Sequence, residues 1–156
     1  MKISIPGRNE LDIENLLLDY NGTIALDGRL IEGVRERLKV INNLGIDIYV
    51  LTADTYGNVV KECEGLPIEV KVFNDNEARF AKERIVELLG GSLCASIGNG
   101  FNDGLMFRKS ALSVIVMGNE GCSAEAMGNA DIMCKSIEDA LDLFVNEKRI
   151  IATLRG

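Results

Sequence analysis

The sequence predicts an α/β fold, a parallel sheet with helices on both faces. The alternation of two kinds of segment carries this. Short apolar runs of strand length alternate with longer segments of helical periodicity along nearly the whole chain. That alternation is the signature of βα units, whose strands are buried on both faces. The 156 residues show no repeat, no low-complexity tract and no linker, which fits one domain over residues 1–156, long enough to bury a core unaided.

The first main run, Leu16, Leu17 and Leu18, is unbroken leucine ending at Asp19 and reads as a buried strand. Residues 31–44 read as a helix with Val34, Leu38 and Ile41 on one face and Gly45 past its end. Residues 46–51 are the next strand, 56–64 a helix and 70–73 a third strand. Residues 77–89 are a strong helix in which Phe80, Ile85, Leu88 and Leu89 are apolar, stopped by Gly90 and Gly91. A strand over 93–97, a short helix over 102–109, a strand over 112–117, a helix over 123–127 and a brief strand over 132–134 follow. The last helix begins at Ser136 and is expected to run through 145 toward Ile151. Ahead of the leucine run, Ile3, Ile5, Leu11 and Ile13 fit a small antiparallel hairpin around Pro6 and Gly7. Crossovers between parallel strands should be right-handed.

Composition narrows the function. The net charge is −7 and the pI near 4.7, which argues against binding a nucleic-acid backbone or an anionic membrane surface. A local anion site needs only a few donors and is still allowed. Four cysteines (Cys63, Cys94, Cys122, Cys134) form no C-x-x-C pair, and there is no histidine. Zinc sites needing His, and Ser-His or Cys-His nucleophiles, are therefore excluded. The cysteines read as reduced core residues of a cytoplasmic protein. No apolar run reaches the length of a membrane span, and the opening residues do not form a signal peptide.

Ligands of open α/β sheets lie outside the carboxyl ends of the strands, so the residues just after each strand are the candidates. After the first main strand come Asp19, Asn21, Gly22 and Thr23; after the second, Thr52, Ala53 and Asp54; after the fourth, Gly98, Asn99, Gly100, Phe101, Asn102 and Asp103. Lys82 lies on the helix before that fourth strand. Asp19 can attack phosphorus in line. Thr52, Ala53 and N–H groups near Gly22 can hold phosphoryl oxygens, and Lys82 can neutralise their charge. Asp19, Asn99 and Asp103 offer the oxygen ligands that Mg²⁺ prefers. Each feature also has a plainer use. Asn21-Gly22 makes a turn, Thr52 with Asp54 or Asn102 with Asp103 can cap a helix, and Lys82 suits a solvated helix face. Their order along the chain favours the phosphoryl site.

That order resembles the haloacid dehalogenase superfamily of phosphohydrolases, and within it the phosphorylation domain of P-type ATPases. Asp19-Tyr20-Asn21-Gly22-Thr23 is similar to the first motif and Leu51-Thr52-Ala53-Asp54 to the second. Lys82, followed by Ile85-Val86 and Leu88-Leu89, is similar to the third, and Gly98-Asn99-Gly100-Phe101-Asn102-Asp103 to the fourth. Met117-Gly118 and Ala130-Asp131-Ile132 are also ATPase-like, so the likeness covers roughly residues 16–143. The resemblance implies a three-layer Rossmannoid sheet, a phosphoaspartate at Asp19, and Mg²⁺ held by the Asp19 carboxylate, the backbone carbonyl of Asn21 and a side chain of the fourth motif, Asn99 or Asp103. It also implies phosphate binding by Thr52 and Lys82.

Two positions depart from the pattern. Phosphatases of this superfamily usually carry Asp where this chain has Asn21, and an amide has no proton to transfer near neutral pH. Losing general acid–base help slows an enzyme by about 10²–10⁴-fold, so slow turnover or a stable intermediate is expected. Asn99 stands where the fourth motif usually has its first Asp, removing one negative charge from the metal site and placing more weight on Asp103.

Neither intermotif gap has room for a cap domain, and residues 24–30 could form at most a small flap. The open site admits small or macromolecular phosphorylated substrates, unless a neighbouring subunit of a homo-oligomer closes it. An ATP-binding domain of the pump type is absent. Two other readings stand beside the phosphatase: a regulatory module that kept the fold but lost efficient chemistry, motivated by Asn21 and Asn99, and a phospho-accepting receiver domain. The receiver wants an acidic pair that Asp12 and Glu14 are poorly placed to supply.

Overall fold

The computed structural model describes residues 1–53, 57–74 and 76–156. The N-terminal isoleucine pattern forms the expected hairpin: β1 (Lys2–Ile3) pairs antiparallel with β2 (Leu11–Asp12). The leucine run becomes β3 (Asn15–Asp19), in which all five residues are buried. Residues alternate across a strand, so Leu16 and Leu18 enter one core while Leu17 enters the other. A second small hairpin follows, β4 (Ala25–Leu26) against β5 (Arg29–Leu30). Its two-residue turn has positive φ at both Asp27 (50°) and Gly28 (75°), the primed turn that matches strand twist. The Tyr20 hydroxyl donates to the Gly28 carbonyl at 3.0 Å and ties this hairpin to the end of β3.

Helix α1 (Val34–Asn43) buries Val34, Leu38 and Ile41, as its periodicity predicts. Then come β6 (Asp47–Thr52), α2 (Val59–Glu62), β7 (Glu69–Val72), α3 (Ala78–Leu89), β8 (Cys94–Gly98), α4 (Gly104–Lys109) and β9 (Leu112–Val116). The chain finishes with α5 (Ala124–Met127), β10 (Ile132–Cys134), α6 (Ile137–Val145) and α7 (Lys148–Leu154). The main sheet runs β10-β9-β8-β3-β6-β7, and each of its pairings is parallel. Helices α1 and α6 pack together and share a core with Leu16 and Leu18; α3 and α4 pack together and share a core with Leu17. This is the three-layer α/β arrangement the alternation predicts. The segment between β3 and β6 holds only the β4–β5 hairpin and α1, and the described residues between β6 and α3 hold only α2 and β7.

Strand order places the site. From β3 the chain builds outward through β6 to β7, then returns through α3 to β8 on the other side of β3. The crevice at the carboxyl ends of β3 and β8 is thus a switch point, the usual ligand position in such sheets.

Two elements depart from their sequence pattern. The buried stripe of α3 is Ala78, Lys82 and Val86, with Ile85 and Leu89 packed partly against the core. Phe80 and Leu88 are 65% and 73% exposed. A lysine occupies the innermost line of the helix, so the apolar residues sit to one side of it. The C-terminal helix is also not continuous. The chain leaves helical geometry at Asn146 (φ −134°, ψ 87°), and α7 turns back to bury Ile150 and Leu154. Cys63 and Cys94 lie in the core, and Cys122 and Cys134 are half-buried. Among the described residues no helix is long and apolar enough to cross a membrane.

Candidate active site

Asp19 ends β3 and is 7% exposed. Lys82, from the middle of α3, is completely buried and reaches across to it. The ammonium lies 2.5 Å from Asp19 Oδ1 and 2.7 Å from Asp103 Oδ1. A buried lysine is stable only with partners, and here two carboxylates supply them. Burial pulls the Lys82 ammonium down, but Asp103 and Asp19 together outweigh it and hold the charge above the ordinary lysine range. Burial pushes the Asp19 carboxyl up to about 6, against the downward pull of Lys82 and with a further upward push from Asp103.

Asp103 has both oxygens engaged. Oδ1 meets Lys82, while Oδ2 accepts the backbone N–H of Asn99 at 3.1 Å and of Gly100 at 2.9 Å. It is fully buried beneath the cleft and holds the turn after β8 in shape. Gly98 makes this possible: a Cβ there would stand 2.4 Å from Asp103 Cγ.

Asp19, Asn21, Thr52, Ala53 and Asn99 line one cleft of about 380 Å³, whose remaining wall is Gly100, Phe101, Asn102 and Glu120. Thr52 is almost fully buried at the end of β6. Asp54 lies outside the described residues. Gly22 differs from expectation. Its own N–H donates to the Ala25 carbonyl at 2.8 Å, so it is not open to a phosphate. Gly22 instead lines the neighbouring hollow under the β4–β5 hairpin. Its φ is +77°, and a Cβ there would stand 2.4 Å from Asn99 Nδ2, so the tight turn and the close approach both require glycine.

Two residues join the site to which the strand-end reading gave no role. Thr23 is fully buried, and its hydroxyl lies 3.2 Å from both Asp19 Oδ2 and Asn99 Oδ1; its place four residues after Asp19 was the available signal. Glu120, in the loop after β9, had no spacing or periodicity to mark it.

The donor set fits a hard divalent cation. Asp19 offers a carboxylate, Asn99 an amide oxygen, and Asn21 Oδ1 beside them is a buried acceptor without a hydrogen-bond partner among the described residues. Oxygen ligands and room for water are what Mg²⁺ takes. Among the described residues no cluster of three His, Cys, Asp or Glu side chains forms a metal site, so such a cation would rest partly on amides, carbonyls and water.

No family model matches the chain. An uncharacterized protein of Methanocaldococcus jannaschii is 45% identical over 81 residues, covering 49% of this chain and 87% of that protein. A soluble P-type ATPase-like phosphatase of the same organism is 25% identical over 123 residues, covering 78% of this chain. The chain spans 45% of that relative's length. Among solved structures, the cobalt-bound deoxy-D-mannose-octulosonate 8-phosphate phosphatase of Haemophilus influenzae superposes with a TM-score of 0.72 at 13% identity, over 93% of this chain and 94% of that one. The 3-deoxy-D-manno-octulosonate 8-phosphate phosphatase of Moraxella catarrhalis, solved with magnesium, phosphate and KDO, gives 0.68 at 19% identity over 92% and 94%. At such identities the likeness establishes the fold. The chain belongs to one family with the first M. jannaschii protein, and its fold is the one these phosphatase structures share.

Proposed function

We propose that the protein is a Mg²⁺-dependent phosphohydrolase that works, slowly, through an aspartyl-phosphate on Asp19. The supporting observation is the buried Asp19–Lys82–Asp103 group beneath a cleft lined by hydrogen-bonding residues. A lysine and two acids hidden under a polar cleft are poor devices for stability alone, since apolar residues of the same volume often serve as well.

Asp19, Asn99 and Asn21 would hold the cation, which screens the nucleophile from an anionic substrate. An Asp19 oxygen attacks phosphorus, the bond to the leaving oxygen breaks, and the phosphoryl group stays on Asp19 as an acyl phosphate. Lys82 neutralises charge on the phosphoryl oxygens, and Thr52 orients them. The departing alkoxide takes its proton from water, because Asn21 has none to give. Water then attacks the acyl phosphate without a side-chain base from that position, releasing inorganic phosphate and restoring the Asp19 carboxylate. The acid–base residue is missing from both steps, so the second leaves a long-lived phosphoenzyme. Substrates are phosphorylated molecules, small or macromolecular, since no cap restricts entry among the described residues.

Incubation with an aryl phosphate and Mg²⁺, beside Asp19→Asn, tests this. Phosphate release from the native protein and none from the variant is expected; equal release from both defeats it. Asn21 also favours a second reading, a phosphate-sensing module. Tight binding of beryllium fluoride with Mg²⁺ but no turnover would support that one instead.

A further inference from the structure

Glu120 belongs to no motif, yet it lines the cleft with Asp19, Asn21 and Asn99. Glu120 Oε2 and Asn99 Nδ2 lie 2.8 and 2.4 Å from one point, the place a Cβ on Gly22 would occupy. The two side chains therefore crowd the same side of the Asp19 turn. Asn99 also holds the loop that carries Glu120. Its amide N–H donates to the Gly121 carbonyl at 3.1 Å, and its backbone carbonyl accepts the Ser123 N–H at 2.8 Å. An ionised aspartate at that position could not make the first bond, because it has no proton to donate. The amide thus removes a carboxylate from the motif and gains a clip on the neighbouring loop.

Charge balance gives this arrangement a purpose. Asp19 and Asp103 share the single ammonium of Lys82, leaving an excess negative charge. Glu120 adds another, and among the described residues it has no ion-pair partner. Asp19 and Glu120 both line the cleft, where their like charges repel, and a divalent cation is the ion that balances this excess. We infer that Glu120 supplies, from the loop after β9, the carboxylate that the fourth motif lacks at Asn99, and so completes the divalent-cation site. The inference rests on the proposed cation-dependent reading of the cleft.

Mn²⁺ binding to the substrate-free protein, followed by the electron spin resonance of unbound Mn²⁺, tests it without recourse to activity. Glu120→Gln is expected to weaken binding about 10-fold, in the range seen when groups around a metal are removed. Glu125→Gln, an exposed carboxylate five residues on, is expected to leave affinity within about twofold of the native protein. Adding Asn99→Asp to Glu120→Gln returns a carboxylate to the motif and should recover most of the loss. Native affinity in Glu120→Gln, with Asp19→Asn still abolishing the site, overturns the assignment of Glu120 alone. Saturable Mn²⁺ binding that is absent from the native protein, or unaffected by Asp19→Asn, overturns the cation site and this inference with it.

Discussion

The two walls of the cleft are built on opposite plans. One wall gathers Asp19 from the end of β3, Lys82 from α3 and Asp103 from the turn after β8, all buried and bound to one another. The other, open wall gathers the Asn99 amide from the turn after β8, an Asn21 amide oxygen from the turn after β3 with no hydrogen-bond partner among the described residues, and exposed Glu120 from the loop after β9. Buried charges locked in a network pre-organise a site and tolerate little change. Under the proposed function the open side would carry the groups that adjust cation affinity and the fate of the intermediate, and there the chain departs from the motifs it resembles.

The largest effect should come from the locked side. Lys82→Met leaves Asp19 and Asp103 buried together with no counter-charge, and breaking such a group by removing one partner costs about 3–5 kcal/mol. Urea unfolding should show that loss together with loss of phosphatase activity. A variant of native stability would mean that the ammonium is not the charge holding this wall together.

On the open side, Asn21→Asp supplies a group able to give and take a proton, and hydrolysis of the phosphoenzyme should quicken by about 10²-fold. Single-turnover decay measures this, and an unchanged rate would remove the account of Asn21. Stability should change little, in contrast with Lys82→Met.

A smaller effect joins the two walls. The Asp19 carboxyl is pushed up to about 6 by burial, and a cation competes with its proton. Cation affinity should therefore be full above that pH and decline as pH falls through it, by about tenfold per unit once Asp19 is mostly protonated. A Mn²⁺ titration that is flat between pH 7 and 5 would contradict this order of events.

The smallest effect marks where the locked wall ends. Leu88 lies on the outer face of the same helix as Lys82 and is 73% exposed. Leu88→Ala should change stability by no more than about 0.5 kcal/mol, although hydropathy alone ranks it among the core residues.

That last contrast shows where the sequence was legible. The leucine run before Asp19, the helix of Val34, Leu38 and Ile41, and the isoleucine hairpin follow directly from periodicity, because burial of apolar side chains is what periodicity records. Asp19, Lys82 and Asp103 could be grouped because strand ends and the helix before β8 converge on one edge of a parallel sheet. The buried face of α3 was not legible because the innermost residue is a lysine, held by distant carboxylates that hydropathy does not see. The break at Asn146 had a signal, an asparagine after Val145, but Glu147, Lys148 and Arg149 are good helix formers and Ile150 and Ile151 resume the apolar pattern. Glu120 was invisible because its role depends on a loop clipped by Asn99, a contact between residues that share no spacing rule.

The central claim is that Asp19 carries the phosphoryl group. Rapid acid quench during turnover of an aryl phosphate with Mg²⁺, followed by peptide mass spectrometry, reads this directly. The account predicts a phosphoryl adduct on the peptide containing Asp19, abundant because Asn21 slows its hydrolysis, and absent from Asp19→Asn. Phosphate release without any adduct on that peptide, and undiminished in Asp19→Asn, would contradict it.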